Sequence, residues 1–284
     1  EIEPCLVQAY RALLGNSTLD QALVAKMLQL PSEAYLIELA DSPDVAAIHR
    51  ARDQVLNHLA TSLREELITC YHRNSETGTY EVTPESIARR SLRNTALAWL
   101  LMINDDTGRD LALHQLSDAD NMTDRMGALR ALVNSDYAAE RSKALGDFYE
   151  RFQDDPQVVE QWFAVQSSSD RAGQLPQIQA LLAHPAFDWK NPNKIRSVVG
   201  VFAGQNLAAF HNPDGSGYAF LAGQVCRLDD SNPQIAARLV NPLTRWKKFA
   251  PAYSSLMRSA LERVRDKPGL SADLYEVVHK SLEG

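Results

Sequence analysis

At Thr83-Pro84, Asp155-Pro156, Asn191-Pro192 and Asn232-Pro233 a side chain suited to helix capping stands immediately before a proline. That pairing constrains the fold strongly. The Thr, Asp or Asn oxygen can accept an orphan N–H of a helix's first turn, and proline fits the first helical position because its missing N–H costs nothing there. After three of the four, apolar residues recur at helical spacing. Val158, Val159, Trp162 and Phe163 follow the first of these, Ile195, Val198, Val199 and Phe202 the second, and Ile235, Leu239 and Val240 the third.

The same period runs elsewhere. Val45, Ile48, Val55, Leu59, Leu63 and Leu67 keep to one face and predict a single long helix from Val45 to Cys70. Ile87, Ala96, Leu97, Leu100 and Leu101 predict a second, and Arg125–Val133, Ala138–Phe152 and Pro156–Val165 read as shorter helices with brief links. Strand evidence is thin: Thr77-Gly78-Thr79-Tyr80-Glu81-Val82 carries β-type residues but lies among polar loop signals, and reads as a link. The expected fold class is therefore all-α, a superhelical array of stacked antiparallel helix pairs of the HEAT/armadillo-like solenoid kind. Such pairs expose apolar surface until a neighbour covers it, and stacking leaves a concave side. No strict sequence period accompanies the pattern. One helical domain is expected over 1–284, with a looser N-terminal half, 1–120, and a compact half, 121–284.

With 284 residues, 45% hydrophobic and 23% charged, the chain can bury roughly three quarters of its unfolded surface and needs no disulfide or metal staple. The formal net charge of −7 argues against nucleic acid, whose binders carry a basic face. Arg245-Trp246-Lys247-Lys248 is a local basic cluster and reads as a solvated helix end. Cys5, Cys70 and Cys226 are odd in number and widely spaced, which fits a reducing compartment and a cytoplasmic location. No apolar run approaches the roughly 20 residues that span a bilayer, so no membrane partner is expected. The chain opens at Glu1 without a methionine, which fits processing or a piece of a longer polypeptide.

Familiar catalytic patterns are missing. There is no His-Glu-x-x-His, and none of the seven histidines pairs with another at the three- or four-residue spacing that puts two imidazoles on one helix face. There is no Gly-x-Ser-x-Gly. Asn212-Pro213-Asp214-Gly215-Ser216-Gly217 reads as a turn and lacks the Gly-Lys-Ser/Thr ending of a phosphate loop. Cys70 and His72 are too close along a helix to face each other, so Cys70 reads as a buried thiol. Asp105-Asp106, Asp154-Asp155 and Asp229-Asp230 are open to acid–base or cation chemistry but fit helix capping better. Trp99 and Trp162 read as core. No catalytic or metal-ligating residue is assigned.

From Asn191 the sequence becomes familiar. Asn191-Pro192-Asn193-Lys194-Ile195-Arg196-Ser197-Val198-Val199-Gly200 runs on through Val201-Phe202-Ala203-Gly204-Gln205-Asn206. Phe210-His211-Asn212-Pro213-Asp214-Gly215-Ser216-Gly217-Tyr218, Asn232-Pro233-Gln234-Ile235-Ala236-Ala237-Arg238-Leu239 and Pro242-Leu243-Thr244-Arg245-Trp246 follow. With Asp124-Arg125-Met126-Gly127-Ala128-Leu129-Arg130-Ala131-Leu132 and Lys267-Pro268-Gly269-Leu270-Ser271, these stretches resemble the C-terminal domain of bacterial aminopeptidase N, a zinc metallopeptidase of the gluzincin type. The resemblance covers the whole chain and is strongest after about Asp120.

The resemblance implies that zinc and general base belong to a catalytic domain of the same polypeptide, outside this chain. It implies a non-catalytic helical domain that caps that active site, walls an internal cavity and admits short peptides. An arginine in such a wall could bind a peptide carboxylate bidentately. On this ground Arg196, between Ile195 and Val198, and Arg238, before Leu239-Val240, are the substrate-cavity candidates. The competing reading for each is a local tie to helix-end carbonyls or to Asp and Glu. A free-standing helical-repeat scaffold that binds another protein is the alternative function, and an enzyme with a site assembled from scattered residues is a third reading.

Overall fold

The computed structural model of the chain describes residues 2–76, 78–171 and 175–284. The described residues are helical with short links, and no strand occurs among them. Thr77 lies outside the described residues; Gly78–Val82 forms a non-regular link, as the sequence implied.

The four caps expected at Thr83, Asp155, Asn191 and Asn232 are all made. Thr83 accepts from the Ser86 N–H, Asp155 from Gln157 and Val158, Asn191 from Asn193 and Lys194, and Asn232 from Ile235. Each cap contributes about 1 kcal/mol and fixes where its helix begins. Asp105 caps the Asp106–Asp118 helix through Gly108, so two of the three carboxylate pairs supply caps.

The long helix expected from Val45 to Cys70 is broken. Val45–Ser62 and Arg64–Arg73 are separate helices, and Leu63 between them leaves helical geometry at φ −117°, ψ 17°. The Arg11 guanidinium takes the Ser62 carbonyl at 3.0 Å and the Glu66 carboxylate. A side chain from elsewhere thus competes for the carbonyl at the break, while Leu63 stays fully buried. Ile87 also departs from expectation. It is half exposed, whereas Ala96, Leu97, Leu100 and Leu101 of the same helix are buried.

The chain forms two compact units, Glu1–Pro31 with Arg50–Arg151, and Ser32–His49 with Phe152–Gly284. In the first unit the Pro84–Met102 helix is central, packed by Gln21–Met27, Arg64–Arg73, Asp106–Asp118 and Met122–Val133. Leu92, Leu97, Leu100 and Leu101 fill its core; each buried leucine stabilises by about 2 kcal/mol. A polar network sits within this core. Asp124 accepts from Asn94 at 3.0 Å and from Asn121 at 3.1 Å, and Gln115 donates to Asn94 at 2.7 Å. Tyr71 donates to Gln115 at 3.0 Å and accepts from Arg93 at 2.9 Å. Gly127 lies against Asn94 so closely that a side chain there would collide with it. The Asp124–Leu132 stretch singled out in the sequence is thus a packing motif.

In the second unit Ser216–Asp229 packs against Pro233–Leu239 and Pro251–Arg265, with Ala272–Glu283 beside the latter two. Pro156–Ser167 packs against the helical rod that starts at Pro192. Successive helices thus pair within each unit. Trp99 and Trp162 are both buried.

Candidate functional site

The rod bearing Arg196 is one helix in three parts: Pro192–Ile195, a π turn over Arg196–Gly200, and Val201–Gln205. The Val201 N–H bonds to the Arg196 carbonyl, five residues back, and this widens the turn by one residue. Such turns recur at functional sites. Ile195, Val198, Val199 and Phe202 anchor the rod's inner side, and Arg196 stands exposed on the other. Its guanidinium donates to Asn193 Oδ1 at 3.1 Å.

Arg238 lies in the last turn of the Pro233–Leu239 helix, whose Ile235, Ala236 and Leu239 are buried while Arg238 is exposed. The two segments meet at Gly200. A Cβ placed there would lie 3.6 Å from Leu239 Cδ2 and 3.7 Å from Arg196 Cβ. The rod thus brings the Arg196 turn against the side chain next to Arg238. Neither arginine has a carboxylate partner among the described residues. Two guanidinium groups left without internal anions can take an external carboxylate, each by a planar pair of N–H donors.

The other motif residues build the frame behind this surface. Buried Asn206 donates to the Ser169 carbonyl at 2.9 Å and to that of Ser167 at 3.3 Å, fastening the end of the Pro156–Ser167 helix. In the Phe210–Tyr218 stretch Gly215 has φ 72°, a left-handed conformation that glycine adopts at little cost. The turn expected over Asn212–Gly217 ends two residues early, at Gly215, because Ser216 and Gly217 already belong to the next helix. A Cβ on Gly217 would lie 2.8 Å from the Phe210 Cα and carbonyl carbon and would overlap its carbonyl oxygen.

His211 is buried, 2.7 Å from the Tyr218 hydroxyl through Nδ1, and stacked on Phe249 at 4.8 Å. Burial pushes its pKa down to about 4 and the Tyr218 phenol's up. The imidazole is therefore neutral at pH 7, and it serves to hold the turn. Buried Asp229 accepts from Lys267 at 3.2 Å, from the Ser271 N–H at 3.1 Å and from the Ser271 hydroxyl. Burial alone would raise its pKa, but the Ser271 bonds and Lys267 hold it below the usual carboxylate range. The Lys267–Ser271 motif is thus a clasp.

Cys70 is buried and its thiol's pKa is raised by that burial, whereas His72 is exposed, so the two do not form a thiol–base pair. Two features escaped the sequence. Arg245 and Lys248 are not merely solvated: both pair with Glu38, more than 200 residues earlier. The His49 imidazole reaches Glu33 through Nδ1 at 2.8 Å and Asp170 through Nε2 at 3.3 Å. Only folding joins these partners. No helix of the described residues is long and apolar enough to cross a membrane.

Residues 1–283 match a family model described as "Domain of unknown function (DUF3458_C) ARM repeats". Aminopeptidase N of Escherichia coli (strain K12) is 39% identical over 98% of this chain and 32% of its own length. Aminopeptidase N of Haemophilus influenzae is 38% identical over 100% of this chain and 32% of its own length. The solved structure of Legionella pneumophila aminopeptidase A in complex with aspartic acid superposes with a TM-score of 0.89 at 28% identity, covering 99% of this chain and 34% of that one. The chain spans about a third of the length of these relatives.

Proposed function

The chain belongs to the DUF3458_C family of ARM-repeat domains and corresponds to the C-terminal domain of aminopeptidase N; from that premise we propose that it is the non-catalytic, substrate-gating part of a zinc-dependent aminopeptidase. In this reading it caps the active site of a catalytic domain on the same polypeptide. It walls the cavity in which short peptides lose their N-terminal residue, in the cytoplasm. An enclosed cavity excludes folded chains by size and limits water around the scissile carbonyl.

The donor chemistry of this chain does not fit a zinc centre of the His-Glu-x-x-His kind. The sequence lacks that pattern. In this reading the zinc is held by the catalytic domain, and no chemical step runs through the residues described above.

The observation that carries the proposal is the pair of exposed arginines without carboxylate partners, set on segments that meet at Gly200. Their role is to hold the carboxylate end of a peptide whose amino end reaches the metal. Arg196→Ala or Arg238→Ala in the full enzyme should raise KM for short peptides with a free carboxylate by roughly tenfold, near the low end of what a hydrogen bond to a charged group is worth. A chromogenic amide without a carboxylate should change little. Equal effects on both substrates would remove the arginines from the proposal.

A further inference from the structure

The second unit is assembled from two pieces of chain, and the shorter one, Ser32–His49, is held unlike the rest. It contains the Glu33–Leu39 helix, a loop with Pro43, and the start of the Val45–Ser62 helix. Its buried apolar residues are few: Ile37 and Val45, with Pro43. Tyr35 and Leu39, one turn apart on the same helix, are 56% and 64% exposed.

Polar ties hold this piece to Phe152–Gly284. Glu38 pairs with Arg245, and Lys248 donates to the Glu38 carbonyl at 2.6 Å. The Tyr253 hydroxyl donates to Asp44 Oδ1 at 3.2 Å and accepts the Ala46 N–H at 3.4 Å. Asp44 Oδ1 also accepts the Ala47 N–H at 3.0 Å, so Tyr253 is built into the N-terminal cap of the helix that begins at Val45. His49 faces Asp170. One further contact, Glu33 to His49, lies within the short piece and closes it on itself.

We propose that Ser32–His49 is a detachable strap, which opens from Phe152–Gly284 as a closed loop while the remainder of the unit stays folded. The balance of forces favours this. Regions with few buried apolar contacts open well below the global unfolding free energy. Exposed charge pairs are individually weak and are screened by salt over a length of about 8 Å at physiological ionic strength. The strap is thus a salt-responsive element. Its opening uncovers the Tyr253 hydroxyl, whose ring borders His211 at 6.3 Å between centroids.

Hydrogen–deuterium exchange of the intact protein, read by mass spectrometry at several salt concentrations, tests this. Amides of the Glu33–Leu39 helix should exchange faster as sodium chloride rises from about 50 mM to about 500 mM, by roughly threefold, as the screening of weak surface pairs implies. Amides of Pro251–Arg265 should not change. Glu38→Gln should bring the same acceleration at low salt and flatten the salt response. Tyr253→Phe, which keeps the ring, should accelerate Ala46 and Ala47. The proposal is overturned if strap amides exchange at the rate of the Pro251–Arg265 helix at every salt concentration, or if Glu38→Gln leaves them unchanged.

Discussion

The buried His211 imidazole should make this protein measurably less stable between neutral pH and pH 4.5. Its pKa is about 4 in the folded chain against an ordinary 6.5, because burial between Phe249 and Tyr218 disfavours the charged form. The unfolded chain takes up a proton as pH falls through about 6.5, while the folded chain resists until about 4. The stability this group confers is complete above the unfolded value and drains away as pH falls toward the folded one. Below that it causes no further loss. At pH 4.5 the loss relative to pH 7 is about 2 kcal/mol. The assay is urea unfolding at a series of pH values for the wild type and for His211→Gln, which cannot titrate. Carboxylates contribute equally to both proteins, so the wild-type minus variant difference isolates the imidazole. That difference should slope between pH 6.5 and 4.5. Parallel curves would show that His211 is hydrated in the native state and would refute the reasoning.

Two packing predictions can be checked by the same unfolding measurement. Gly217→Ala places a methyl against the Phe210 backbone, where no flexible side chain can yield, and should cost about 3 kcal/mol; a change below about 0.5 kcal/mol would mean that the turn is looser than described. Asp124→Ala strips the anion from a buried network of Asn94, Asn121 and Arg93 and should cost about 3 kcal/mol, with Asp124→Asn milder because it keeps an acceptor. An Asn variant as damaging as Ala would point to charge, not hydrogen bonding, as what the network requires.

Much of the helical layout is written locally. A cap and a proline specify a helix start through atoms three residues apart, and Asn191, Asn232, Asp155 and Thr83 all perform as that chemistry demands. The break at Leu63 could not be read that way. Its apolar period is unbroken, and what accompanies the interruption is Arg11, 51 residues away, on the Ser62 carbonyl. Arg245 and Lys248 likewise look solvated until Glu38 is folded beside them. The candidate site divides in the same manner. Arg196 and Arg238 are nominated by a resemblance and by their place beside apolar neighbours, whereas the contact of Gly200 with Leu239 and the π turn at Arg196 exist only in three dimensions. The glycine-rich Asn212–Gly217 stretch reads as a turn, and close packing of Gly217 on Phe210 gives its end a structural purpose.

In the proposed role this chain assists a zinc aminopeptidase without catalysing hydrolysis itself. The most direct measurement is hydrolysis of an alanyl amide, with zinc present, by this chain alone, by the separately expressed remainder of the polypeptide, and by the two mixed. The expected result is an inactive chain whose addition restores or alters the activity of the remainder. Hydrolysis by the purified chain alone, abolished by a chelator, would contradict it and would place a metal site within the helices described above.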